Sequence, residues 1–405
     1  MILPEGWKEF ELPEVVWFQE GPGVRKYQFT TKGIKLLNGT NIVNNKLITD
    51  NTETYVSQEE ATTKYKHFLV DEGDLIIASS GIKVDYFHKK IAFAGKKNLP
   101  LCMNTSTIRF KSLDKKILDI NFFRFFLMSP LFTSQVQFHI TGSAQLNFGP
   151  SHLNKMKIIL PLLPTQQKIV SILEKAEKAK EWRKEADELT KDLLKAVFIE
   201  MFGEPIKKNN KWHITKIGTH LEYIKYGTSL PPIFSEKGIP FIRATNIKKG
   251  RVANNEMLYI NNEEARKIEK CKLKENDLII VRSGANTGDC TVIEKKYENC
   301  YGGYDLIFRP KQKELNSVFL NELLNTGSCQ AILETLSRRA GQPHLNSEQI
   351  SNFEIPLPPL PLQQKFALTV KEVEAMKEQQ KHSKEHIDTL FNALMQKAFK
   401  GELIK

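Results

Sequence analysis

The chain has 405 residues, 40% hydrophobic and 26% charged, an ordinary globular composition for two to three domains that excludes a disordered or low-complexity protein. Its net charge of +12 and pI near 9.2 make a polyanion the first partner to consider. The five cysteines, Cys102, Cys271, Cys290, Cys300 and Cys329, are odd in number and lack a Cys-x-x-Cys pair, so neither a disulfide framework nor a structural zinc site is indicated.

Met1 to Trp7 lacks the basic and apolar regions of a secretory signal, which leaves the cytoplasm as the expected compartment. Residues 1–160 read as a mixed α/β domain: short apolar runs such as Leu75-Ile76-Ile77-Ala78 and Thr107-Ile108-Arg109-Phe110 are bounded by Gly, Asn and Asp turns. Asn121 to Met128 is apolar and aromatic, and periodicity leaves helix and strand both open. Phe122 to Phe132, the best apolar run, is too short for a membrane span and is broken by Arg124.

At Leu160-Pro161-Leu162-Leu163-Pro164-Thr165-Gln166-Gln167-Lys168 a Pro-rich strap opens a long charged helical pattern over 161–203. The programme then repeats. Residues 204–357 form a second α/β stretch, and Leu357-Pro358-Pro359-Leu360-Pro361-Leu362-Gln363-Gln364-Lys365 opens a second helix over 358–405. Within the two α/β stretches Gly33 to Ile42 aligns with Gly238 to Ile247, and Glu72-Gly73-Asp74 with Glu275-Asn276-Asp277. Ser80-Gly81 and Ser283-Gly284 follow in register. The strap at Pro358, Pro359 and Pro361 could serve as a polyproline ligand, but its recurrence at the first helix needs only the helix-start role.

Both helices carry one heptad frame, with Ile169, Ile172, Ala176, Ala179, Ala186, Leu193 and Val197 expected at the seam of the first. Phe366, Thr369, Val373, Met376, Ser383, Ile387, Leu390 and Leu394 are their expected counterparts in the second, with Arg183 and Gln380 near the centres. From Thr165 to Phe202 eight Lys plus Arg face eight Asp plus Glu, and from Leu362 to Lys405 eight face six. About +10 of the excess therefore falls outside the helices, on the globular stretches.

With its repeated Pro-Leu-x-x-Pro-x-Gln-Gln-Lys straps, the chain resembles the specificity subunit of type I restriction-modification systems. Further points of likeness are the helix exits at Ala196-Val197-Phe198 to Glu204 and Gln396-Lys397-Ala398-Phe399 to Leu403, and the segments Gly142-Ser143-Ala144-Gln145 and Ala340-Gly341-Gln342-Pro343. The resemblance covers nearly the whole chain. It implies an α+β fold: two similar mixed α/β target-recognition domains separated by two long helices that form an antiparallel coiled coil, a pseudo-twofold internal repeat. It further implies a bipartite double-stranded DNA site, one half per domain, with an unread spacer set by the helices. Roughly 35 helical residues span about 50 Å, more than one DNA turn of about 34 Å. The implied partners are two adenine-N6 methyltransferase subunits bringing S-adenosylmethionine, and ATP-dependent, Mg-requiring motor-nuclease (restriction) subunits. No cofactor is expected in this chain.

Catalysis within the chain finds no support in the residues. A fused methyltransferase would need an acidic-aromatic tetrapeptide and a Gly-rich cofactor loop, and neither is present. Asp277 with Glu294-Lys295-Lys296 imitates a nuclease centre, yet the first half has His88-Lys89-Lys90 in the corresponding neighbourhood. His382 and His386, one helical turn apart, read as solvated coiled-coil residues.

Reading bases requires side chains that present paired donors and acceptors. Asn38, Thr40, Asn41, Ser80, Lys83, Ser143 and Gln145 supply them in the first domain. Arg243, Thr245, Asn246, Arg282, Asn286, Arg338, Arg339, Gln342 and His344 supply them in the second. Turn and capping roles compete for each of these singly. The copies differ where Asn38 faces Arg243 and Ser79 faces Arg282, so an asymmetric site is expected. The alternative is a non-catalytic scaffold whose basic lobes bind structured RNA or another polyanion, with the helices serving homodimerisation.

Overall fold

A computed structural model describes residues 4–50, 52–140, 147–205, 212–248, 250–254, 256–338 and 342–404. The chain forms two compact units, one of residues 1–183 and 383–405, the other of residues 184–382. Each is an α+β lobe with a segment of both long helices.

In the first lobe the strands used below are β1 (Val16–Glu20), β2 (Ile34–Leu37), β3 (Leu75–Ala78), β4 (Ile91–Phe93), β5 (Leu101–Met103) and β6 (Thr107–Ser112). Helix α1 (Ile120–Met128) and the long α2 (Leu163–Phe202) follow. The main sheet runs β1-β6-β3-β4, all antiparallel, while β2 pairs in parallel with β5 in a second sheet. The second lobe has β7 (Leu221–Tyr226), β8 (Ile239–Ile242), β9 (Leu278–Ile280), β10 (Cys290–Val292), β11 (Tyr301–Gly302) and β12 (Leu306–Pro310). Its helices are α3 (Ser317–Leu324) and α4 (Leu360–Lys400). Here the sheet order is β7-β12-β9-β10, and β8 pairs in parallel with β11. One topology is built twice.

The aligned motifs are the joints of that topology. Gly33 and Gly238 sit at φ 134 and 146, where a Cβ would strike the carbonyls of Val56 and Ile260. Gly73 and Asn276 hold the left-handed turn before β3 and β9, at φ 85 and 69, which only Gly and a few short polar residues adopt readily. The next residue, Asp74 or Asp277, accepts the N–H of Asp71 or Lys274 at 2.9 Å in both lobes. Asp74 is buried against Arg109 Nη1 at 3.0 Å, and Asp277 against Arg309 Nε and the Tyr223 hydroxyl, each at 2.7 Å. Asp277 is therefore a buried ion-pair anchor. Glu294 and Lys295 bond elsewhere, to Lys296 and Glu298.

The Gln-Gln strap has a concrete task. Gln166 is fully buried: its Oε1 accepts the Asp119 N–H at 2.9 Å, and its Nε2 donates to the carbonyls of Ile117 (2.7 Å) and Pro161 (2.9 Å). Gln363 does the same for Asn316 N–H (2.8 Å), Glu314 O (3.3 Å) and Pro358 O (2.7 Å). Asp119 and Asn316 in turn cap α1 and α3. Each buried amide thus ties the start of a long helix to the start of a lobe helix. Asn121–Met128 falls in the helix α1, whose Phe122, Phe123, Phe125 and Phe126 are buried.

Within each unit the two long helices pack antiparallel. In the second unit Thr190 Oγ1 accepts from Gln380 Nε2 at 2.8 Å, and Phe198 meets Phe366 with ring centroids 5.4 Å apart. In the first, Ile169 and Leu173 share a core with Phe391, Met395 and Phe399, and Lys180 pairs with Asp388 at 2.8 Å. The seam corrects one half of the expected heptad frame. Ile169, Phe366 and Val373 are buried, and Ala176, Val197 and Leu394 pack partly buried against the cores, whereas Leu193, Met376 and Leu390 are exposed and Ile172, Ala179, Ala186, Thr369, Ser383 and Ile387 are half-buried. Their neighbours Leu173, Leu194, Val370 and Phe391 take the buried places. Adjacent apolar pairs such as Leu193-Leu194 and Leu390-Phe391 satisfy either phase of a heptad, so only packing distinguishes them.

Candidate nucleic-acid interface

Three segments converge at one end of each main sheet. In the first lobe they are the turn after β2 (38–41), the turn after β3 (79–83) and the segment at 147–148. Gly39 donates to Ser106 Oγ at 2.9 Å, Gly81 to Asn147 Oδ1 at 2.9 Å, and Phe148 to the Ser79 carbonyl at 3.0 Å. In the second they are 243–246, 281–289 and 342–345. Leu345 donates to the Arg282 carbonyl at 2.7 Å, Ser283 bridges His344, and Asn286 Nδ2 reaches the Ala244 carbonyl at 3.5 Å.

The expected reading residues divide on this frame. Asn41 accepts the Asn38 N–H at 2.9 Å and donates to Ile48 O and Thr52 Oγ1; Asn246, fully buried, accepts from Arg243 N–H and donates to Ala253 O. Both amides are spent inside their own turns, so these two residues shape the loops. Thr40, Ser80, Lys83, Thr245 and Gln342 are exposed on the converging segments, and Asn286 and His344 are half-buried among them. Asn38 Oδ1 accepts from Asn104 Nδ2 at 3.0 Å. Arg243 leans away, donating Nη2 to the Glu256 carbonyl at 3.0 Å. Arg338 is exposed and pairs with Glu334 at 3.4 Å. Ser143, Gln145 and Arg339 lie outside the described residues.

Electrostatics separates the two loop clusters. Arg282 stacks over the Tyr226 ring at 5.0 Å, and its N–H donates to Asp305 Oδ1 at 3.2 Å. Burial pushes the Asp305 carboxyl up to about 7, with the Arg282 amide and charge pulling the other way. Hydrogen bonds from Ser347 lower the Tyr226 hydroxyl. In the first lobe the ladder place of Tyr226 belongs to Glu20, whose carboxyl burial also raises, and Lys90, lowered by burial, donates to the carbonyls of Gly39 and Ile42. Tyr226, Asp305, Asn104 and Asn147 were not singled out by sequence. Strand pairing brings Tyr226, Asp305 and Asn104 to the loops, while Asn147 lies two residues beyond Gln145.

Two copies of one α+β lobe, each closed by a segment of two paired long helices, define the architecture of a DNA-specificity subunit. The type I restriction modification DNA specificity domain matches the chain twice, over residues 4–190 and 205–389. The chain belongs to this family. It is 21% identical over 426 aligned positions to the type I restriction enzyme EcoKI specificity subunit of Escherichia coli K12, covering 99% of this chain and 90% of that one. It is likewise 21% identical to the StySPI specificity subunit of Salmonella potsdam, over 99% and 90% of the two chains. Among solved structures, a chain of a type I restriction-modification assembly superposes with a TM-score of 0.62 at 19% identity over the full length of both. The S subunit from M. genitalium superposes at 0.54 and 14%, covering 98% of each chain. Among the described residues no helix is long and apolar enough to cross a membrane.

Proposed function

We propose that the protein is the non-catalytic specificity subunit of a type I restriction-modification complex and reads an asymmetric bipartite DNA site, one half-site per lobe. One observation carries this reading: the same three loop segments converge in both lobes, on the same scaffold residues, yet present different donors and acceptors. Beside a shared serine, Ser80 or Ser283, Ser79 and Asn147 stand in one lobe where Arg282 and His344 stand in the other. The lobes also carry nearly all of the +12 charge, which suits phosphate positioning around the base contacts.

The balanced helices serve protein partners. Exposed Leu189 and Leu193 form an apolar pair on α2 at helical spacing, outside the buried seam. Two adenine methyltransferase subunits, supplying S-adenosylmethionine, dock on the helices, and ATP-dependent restriction subunits join that core. Co-expression with a methyltransferase partner followed by long-read mapping of methyladenine tests the reading. A gapped motif with unlike halves is expected. A complex that methylates without sequence preference, or a chain that binds structured RNA and ignores duplex DNA, overturns it.

A further inference from the structure

Resting on the DNA-reading role of the second lobe, one side chain and its support can be assigned more narrowly. Arg282 is fixed on both sides of its Cα, donating to Asp305 Oδ1 at 3.2 Å and accepting from Leu345 N–H at 2.7 Å. Its guanidinium lies 5.0 Å over the Tyr226 ring and makes no ion pair with a carboxylate among the described residues. The ring is itself held. Tyr226 ends β7 opposite Leu306, its hydroxyl accepts the Ser347 N–H at 3.1 Å, and it meets Ser347 Oγ at 3.2 Å. Beneath it Asp305 is buried, and its Oδ2 has no hydrogen-bond partner among the described residues.

A planar cation stacked on a clamped ring has given up rotamer freedom before any ligand arrives, while its donor edge stays available. Arg282 is half-buried and Tyr226 41% exposed, so the stacked pair borders solvent at the loop cluster. The acceptor pair that fits such a fork in the major groove is guanine O6 and N7. We propose that Tyr226 is a positioning residue that holds Arg282 to read one guanine in the second lobe's half-site. At the corresponding places the first lobe carries Glu20 for Tyr226 and the fully buried Ser79 for Arg282.

The test uses the full chain in complex with its methyltransferase partner, on duplexes in which each half-site position of the wild-type motif is substituted in turn. Arg282→Lys keeps the charge and loses the fork; Tyr226→Ala removes the platform. Both are expected to flatten preference at the same single G·C position by about tenfold or more, with the other positions unchanged. Under Arg282→Lys the salt slope is also expected to stay as in the wild type. Tyr226→Phe, which keeps the ring but not the bonds to Ser347, is expected to relax that same position less. Equal weakening at every position would mark a phosphate contact and overturn the proposal, as would an unaltered base preference. Should Tyr226→Ala yield no soluble complex, Arg282→Lys and Tyr226→Phe decide alone. A wild-type complex without any base preference sinks the broader DNA reading, which separates that failure from this one.

Discussion

The two lobes share their joints and differ in their rims. Gly33 and Gly238, Asn41 and Asn246, Asp74 and Asp277, Gln166 and Gln363 hold the same places and make matching bonds or turns. Other joints keep their position while changing the partner. Glu177 on α2 takes a bidentate grip from Arg124 of α1, at 3.1 and 2.8 Å, whereas the matching Glu374 on α4 is gripped by Arg251 from a small hairpin. Asp74 is reached by both Arg109 and Lys111 of β6, alternate residues on one strand, while Arg309 alone serves Asp277 from β12. At the loop rims even the chemical type departs, with Glu20 and Ser79 opposed to Tyr226 and Arg282. Recurrence in this chain therefore marks scaffold, and divergence between copies marks the surface available for specificity.

This contrast can be broken experimentally, first at the joints. Asp277→Ala leaves Arg309, the Tyr223 hydroxyl and the Lys274 amide without their buried acceptor, and Asp74→Ala does the same to Arg109 in the other lobe. Each is expected to lower unfolding stability by about 3–5 kcal/mol in urea titrations. A loss below about 1 kcal/mol would show that the shared pair is not structural.

The two glutamines of each strap offer a sharper internal control. Gln363→Leu strands the Asn316 amide and two carbonyls and should cost about 2–4 kcal/mol, whereas Gln364→Ala, one residue on and exposed, should stay within about 0.5 kcal/mol. Equal effects from the pair would refute the assignment of the buried clamp.

Asp305 belongs to one lobe only, and its effect is a dependence on pH. Because its carboxyl is raised from 3.8 to about 7 in the folded chain, the unfolded chain releases that proton first, and stability falls as pH rises from about 4 to about 7. Asp305→Asn should remove that decline, gaining roughly 4 kcal/mol at pH 8 relative to pH 4. Parallel pH profiles for wild type and variant would rule out the buried carboxyl as its source. The smallest expected effect is Lys83→Ala at the first lobe's rim. As a phosphate contact it should weaken binding to all duplexes alike, by less than about tenfold, and reduce the salt slope by about one. A change confined to one base position would make it a reader.

How far the fold was legible follows from these residues. Two copies of Pro-x-Gln-Gln, Gly-Asp or Asn-Asp turns, and aligned Gly positions announced a repeated α+β lobe with long helices, because left-handed turns, helix starts and buried caps admit few residue types. Asn41 and Asn246 looked equally suited to reading adenine or to closing a turn, and only their hydrogen bonds to Thr52 and Ala253 assign them to the turn. The helix seam was half legible for the same reason. Leu193 and Leu194 are chemically alike, and burial of one against α4 is a fact of packing.

Local order alone determined that this chain is built twice, where its helices begin, and that its excess positive charge lies on the lobes, since these depend on backbone preferences and composition within short windows. Only the tertiary structure decided which loop residues meet, that Tyr226 supports Arg282, and that Asp305 lies buried beneath them. Those pairings join positions from 23 to 121 residues apart, across strands whose register no local pattern encodes.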